Sequence, residues 1–99
     1  MSMTGKAVRH LRALGHALDP VVQIGKSGIT PALVKQTNVQ LAAHELIKVR
    51  VATEAPVDRK EAAAELARET KSELAQLLGR TFLLYRAPAP GKKRKIALP

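Results

Sequence analysis

Val21-Val22-Gln23-Ile24-Gly25-Lys26-Ser27-Gly28-Ile29-Thr30-Pro31 decides the fold. Val21 to Ile24 is a short run rich in β-branched residues and predicts a mostly buried strand. Gly25 to Gly28 interrupts it with a turn. Thr30 then offers a helix N-cap and Pro31 a first helical residue, with Ile29 and Val34 placed for a hydrophobic staple. The helix is expected to run to about Ala43 and to bury Leu33, Val34, Thr37 and Leu41. Glu45 to Ala52 reads as the clearest strand. Ile47, Val49 and Val51 share one face; Leu46, Lys48 and Arg50 share the other. A strand–helix–strand unit normally makes a right-handed crossover between parallel neighbours. That places the chain in the α/β class.

Upstream, Thr4 can cap a helix running to about Leu14, with Gly15 suited to a left-handed residue after its end. Ala7, Leu11 and Leu14 form its apolar stripe, with Val8 at the edge. Lys6, Arg9 and His10 fall on the opposite face and Arg12 at the margin. Downstream, Asp58 and Glu61 make a capping-box-like start to an alanine-rich helix through Arg68. Its stop is ambiguous. Leu74 to Leu78 could extend the helix, or could pair with Thr81 to Tyr85 around a Gly79-Arg80 hairpin turn. A strand at about 74–78 is the expectation adopted. The predicted order is α-β-α-β-α-β-β, with a four-stranded mixed sheet whose final hairpin is antiparallel. Residues 1–86 form the domain. Ala87-Pro88-Ala89-Pro90-Gly91 reads as a linker to the basic tail, 87–99.

The chain has 99 residues and a formal net charge of +9, with no cysteine, no tryptophan, one phenylalanine and one tyrosine. One domain with a modest core is expected. Without cysteine there is no disulfide scaffold and no thiolate zinc site. No leader segment or membrane-spanning run is visible, so a soluble cytoplasmic protein is expected. The charge favours a polyanionic partner, nucleic acid before anionic membrane.

Enzyme signatures fail on inspection. Gly25-Lys26-Ser27 resembles the end of a phosphate-binding P-loop, but Pro20 stands where that motif needs glycine. His44-Glu45 begins like a zinc-protease helix, but Lys48 replaces the second histidine. Histidines 10, 16 and 44 lack metal-ligand spacing, and His16 and His44 read as packing or hydrogen-bonding residues. Glu61, Glu65 and Glu69 pattern a helix surface. No catalytic residue, cofactor, metal or small-molecule substrate is expected.

Gly25-Lys26-Ser27-Gly28 remains. Glycines let the backbone turn and approach a ligand closely. The loop feeds a helix N-terminus, where N–H groups and the dipole favour anions. Lys26 adds charge and Ser27 a donor, and the first helix is expected to set a basic side beside this loop. Such a G-x-x-G loop clamps nucleic-acid backbone in one RNA-binding module. Phe82 and Tyr85, three apart on a strand, face opposite sides, with Phe82 assigned to the core. Base stacking is therefore not the expected mode.

Four segments resemble the YhbY-like proteins, stand-alone bacterial forms of the CRM domain (chloroplast RNA splicing and ribosome maturation). They are Leu11 to Thr30, His44 to Arg50, Gly79 to Arg86 and Arg94 to Pro99. The resemblance implies a fold similar to the C-terminal domain of translation initiation factor three. It also implies RNA binding, association with precursors of the large ribosomal subunit, and no catalysis. The family loop maps to Gly25, Lys26, Ser27 and Gly28. The basic surface maps to Lys6, Arg9 and Arg12, to Arg80 and Arg86, and to Lys92, Lys93, Arg94 and Lys95. Lys71 stands where the family usually ends its third helix with glycine. The competing reading is a small basic DNA-binding or nucleoid-type protein.

Overall fold

The computed structural model describes residues 4–89 and 91–96. Seven elements follow one another: α1 (Gly5–Gly15), β1 (Pro20–Ile24), α2 (Pro31–His44), β2 (Leu46–Val51), α3 (Arg59–Thr70), β3 (Glu73–Leu78) and β4 (Thr81–Tyr85). The sheet order is β1-β2-β4-β3. β1 runs parallel to β2, with Ile24 opposite Val51. β4 is antiparallel to both β2 and β3. The expected α/β domain with a mixed four-stranded sheet is therefore the fold. Glu73–Leu78 is strand, not helix, and Gly79 supplies the positive φ (60°) that a primed two-residue turn asks of its first residue.

Side-chain alternation makes two layers. Val22, Ile24, Val49, Val51, Phe82 and Leu84 point to an inner face and meet Leu33 and Leu41 of α2 and Ala63 and Leu66 of α3. The outer face carries Leu46, Ala75, Leu83 and Tyr85 beneath Leu11 of α1. Each large apolar side chain buried contributes about 1.5–3 kcal/mol. Among the described residues the inner cluster has thirteen buried residues against five outside, so it dominates stability. Phe82 and Tyr85 lie on opposite faces and both are buried.

Capping follows the residue types. The Thr4, Thr30 and Asp58 side chains accept from the backbone N–H of Ala7, Leu33 and Lys60. Four local expectations are corrected. Gly15 is inside α1 and is followed by a right-handed cap, His16. It is glycine because a Cβ there would lie 2.3 Å from Leu83 Cδ1. The buried stripe is accordingly Ala7, Leu11 and Gly15, and Leu14 is exposed. Glu45 is not strand. It caps α2 with φ 65° and ψ −47°, a conformation disfavoured for any L-residue. His16 and His44 are exposed rather than packed.

α3 stops at Lys71, which takes the left-handed conformation itself (φ 53°, ψ 43°). Ser72 N–H donates to Ala67 O at 2.9 Å and Lys71 N–H to Arg68 O at 3.3 Å, the pair of bonds of a Schellman end. That ending frees residue 73 to begin a strand.

Candidate nucleic-acid interface

β1 delivers the chain to the Gly25–Gly28 turn, and α2 leaves from Thr30. Gly28 N–H donates to Gly25 O at 3.0 Å, closing the turn. The two glycines differ in kind. Gly28 has φ 68°, and a Cβ on it would press within 3.3 Å of Pro56 Cγ. Gly25 has no positive φ, and a Cβ on it would meet nothing within 4 Å. The fold therefore requires glycine at 28 and leaves the space over residue 25 open.

Donors around the turn are partly committed. The Gly28 N–H is used within the loop, Pro31 has none, and Leu33 N–H serves Thr30 Oγ1 at 3.1 Å. The N–H groups of Lys26, Ser27 and Ala32 remain. A hollow of about 300 Å³ opens between the loop, Gln23, Ala32 and Gln36. Lys26 and Ser27 are exposed beside it, and Lys26 has no hydrogen-bond or ion-pair partner among the described residues. An exposed ammonium at a helix N-terminus with open backbone donors suits an anion.

The other expected cations divide by place. Arg80 is exposed on the β3–β4 turn at the same end of the sheet, because its carbonyl accepts Val51 N–H at 2.7 Å and Val51 pairs with Ile24. Lys6, Arg9 and Arg12 are exposed on α1. Arg12 Nε donates to Ala75 O at 3.2 Å, which seats that residue on β3. β3 is the sheet edge opposite β1, about 14 Å away at ordinary strand spacing. For Arg12 the expected adjacency of basic helix and loop is thus corrected; α1 as a whole lies over β2, β3 and β4.

Arg86 lies at the far end, where β4 leaves the sheet. Its guanidinium donates to Asn38 Oδ1 at 2.7 Å, Asn38 O at 3.2 Å and Thr70 O at 2.8 Å. It ties α2 to the end of α3. The tail docks nearby. The buried Glu45 carboxylate accepts from the backbone N–H groups of Lys95 and Ile96, and Ile96 packs at the outer cluster. The stretch expected as a linker therefore leads to an anchored segment, with Lys92, Lys93, Arg94 and Lys95 exposed along it. Pro90 and residues 97–99 of the expected tail lie outside the described residues. The Tyr85 hydroxyl beneath is buried with no hydrogen-bond partner among the described residues. Burial raises its pKa above the usual phenol value; Glu45 adds to the rise and Arg94 opposes it.

Lys48 and Arg50 were not among the expected contacts. Both point to the outer face of β2, and Arg50 is exposed. The signal was present in the alternation with Ile47, Val49 and Val51, but only the sheet order shows that α1 leaves Arg50 uncovered. No group of three or more metal-ligating side chains gathers among the described residues. None of their helices is long and apolar enough to cross a membrane.

A family model, the CRS1 / YhbY (CRM) domain, matches residues 3–86. A Bacillus subtilis protein named Probable RNA-binding protein YqeI is 38% identical over 91 residues, covering 92% of this chain and 95% of that protein. A Haemophilus influenzae protein named RNA-binding protein is 35% identical over 98 residues, covering 99% and 96%. The solution structure of Staphylococcus aureus SAV1595 matches with a TM-score of 0.80 at 43% identity, covering 99% of this chain and 100% of that one.

Proposed function

The chain belongs to the CRS1/YhbY (CRM) domain family, and from that premise we propose that it is a non-catalytic RNA-binding protein that grips phosphate with its Gly25–Gly28 loop. The observation that carries the loop assignment is Gly25. Neither its backbone angles nor its neighbours require glycine, so the missing side chain serves something that approaches from outside. Open N–H groups of Lys26, Ser27 and Ala32 and the Lys26 ammonium then meet the phosphate oxygens. Arg80, Lys6 and Arg9 extend the positive field.

Both aromatic rings of the chain are buried, Phe82 at 1% and Tyr85 at 4% exposure. Stacking platforms of the usual aromatic kind are therefore not part of the grip. Contacts to phosphate position a protein but carry no sequence information directly. The protein acts on structured or single-stranded regions of ribosomal RNA, as a factor on precursors of the large subunit.

Four measurements test this. With four to six phosphates neutralised, log K should fall against log salt with a slope of about −3 to −4 on single-stranded RNA; a flat line would end the proposal. Lys26→Glu should weaken binding without lowering Tm. Sedimentation of lysate at low and high salt should place the protein on large-subunit precursors at low salt only. Duplex DNA competing as well as RNA at matched salt would favour the DNA-binding reading instead.

A further inference from the structure

The outer face of the sheet is covered unevenly. Its residues form three rows across the strands, set by register. Nearest the tail, Leu46 faces Tyr85, and both are buried. In the middle row Lys48 faces Leu83, which faces Gln76; Leu83 is buried under Gly15, while Lys48 and Gln76 are half-buried. In the row nearest the Gly25–Gly28 loop, Gln23 faces Arg50, Arg50 faces Thr81 and Thr81 faces Leu78. Gln23 and Arg50 are exposed, Thr81 is half-buried and Leu78 is 58% exposed. α1 covers the first two rows and stops short of the third.

That third row crosses all four strands, about 14 Å. It begins two residues before Gly25. Its character is one cation, two hydrogen-bonding side chains and one apolar end, with Lys48 behind it and no carboxylate in it or in the middle row. Arg50 has no hydrogen-bond or ion-pair partner among the described residues. Guanidinium is the side chain best shaped to hold phosphate with paired donors. Gln23 also borders the hollow at the loop, so the two surfaces are continuous.

We infer that this row is a second segment of the RNA path, carrying a single strand from the Gly25–Gly28 loop across the open end of the sheet, with Arg50 on a phosphate and Leu78 under the flat face of an unpaired base. The inference rests on the RNA-binding reading and adds a track to it. Charge selects the occupant, since an uncovered stripe with cations and no carboxylate repels basic surfaces and attracts a polyanion. The apolar end selects a single strand, because only unpaired bases present a free face.

The test uses the whole chain and a short single-stranded RNA oligomer, titrated at several salt concentrations. Arg50→Gln should weaken binding roughly three- to fivefold, the size of an exposed ion pair. It should also flatten the salt slope by about 0.7, one single-strand phosphate. Leu78→Ser should weaken binding with the slope unchanged. Lys35→Gln, on the exposed side of α2 in the opposite layer, is the control for net charge. Equal effects of Arg50→Gln and Lys35→Gln would overturn the track, as would a Leu78→Ser variant that binds like the parent. Lys26→Glu separates the two proposals. If it binds normally while Arg50→Gln does not, the loop reading fails and the track stands; the reverse result removes the track and keeps the loop. Equal Tm values for the variants and the parent confirm that folding is not the cause.

Discussion

Arg86 at one end of the sheet and Lys26 and Arg50 at the other use positive charge in opposite ways. At the tail end, Arg86 is enclosed by acceptors from α2 and α3, and its guanidinium holds two helices together. At the loop end, Lys26 and Arg50 are exposed without protein partners among the described residues. A sequence count treats these cations alike. The fold does not: one is a structural tie, and the others are available to a ligand. Net charge therefore sets the long-range field, while partner geometry decides which charges can make contacts.

The contrast predicts that removing the Arg86 cation lowers Tm, while removing the Lys26 or Arg50 cation lowers affinity. The largest expected effect is at Arg86. Arg86→Ala removes three charge-assisted hydrogen bonds and strands the Asn38 and Thr70 acceptors, costing about 2–3 kcal/mol by denaturant unfolding. A change in RNA affinity at unchanged stability would break the comparison. Gly28→Ala is next. It forces a side chain into a left-handed conformation against Pro56, at about 1–2 kcal/mol. Gly25→Ala, three residues away, should leave Tm level or slightly higher while RNA binding weakens, which separates fold from contact inside one loop.

Tyr85→Phe comes third. The buried hydroxyl has no partner among the described residues, so its removal should stabilise by about 1 kcal/mol at neutral pH. The sign at high pH follows from its raised pKa. Above the ordinary phenol value of about 10 the unfolded chain ionises first, and stability falls as pH climbs toward the folded value. The Phe variant should lack that part of the alkaline loss. The smallest effect is Lys71→Gly, which relieves a left-handed lysine and should raise stability by about 0.5 kcal/mol, measured as a small rise in Tm.

Local chemistry accounts for what was legible in the sequence. Thr30-Pro31 and Asp58 mark helix starts through hydrogen bonds a few residues long, and β2 announces its two faces by alternation. The errors lie where a distant residue decides. Gly15 is explained by Leu83, and Arg86 by Asn38 and Thr70. Glu45 takes its unusual backbone where it accepts the tail, and Lys71 ends α3 without the glycine that would have signalled it. The loop was legible because glycines and lysine adjoin in sequence. The Gln23–Arg50–Thr81–Leu78 row was not, because it is assembled by register from four strands.

The close seat of α1 at Gly15 has a consequence for motion. Cooperative units open in order of the apolar contacts that hold them. α1 meets the sheet through small residues, Ala7 and Gly15, and one leucine, Leu11, whereas α2 and α3 close over the larger cluster. The outer layer is thus the hinge-prone side of the molecule, and its lifting would lengthen the open face of the sheet without disturbing the inner core. The missing methyl group at residue 15 lets the helix sit low on the sheet, and it also leaves that helix the lightest latch in the fold.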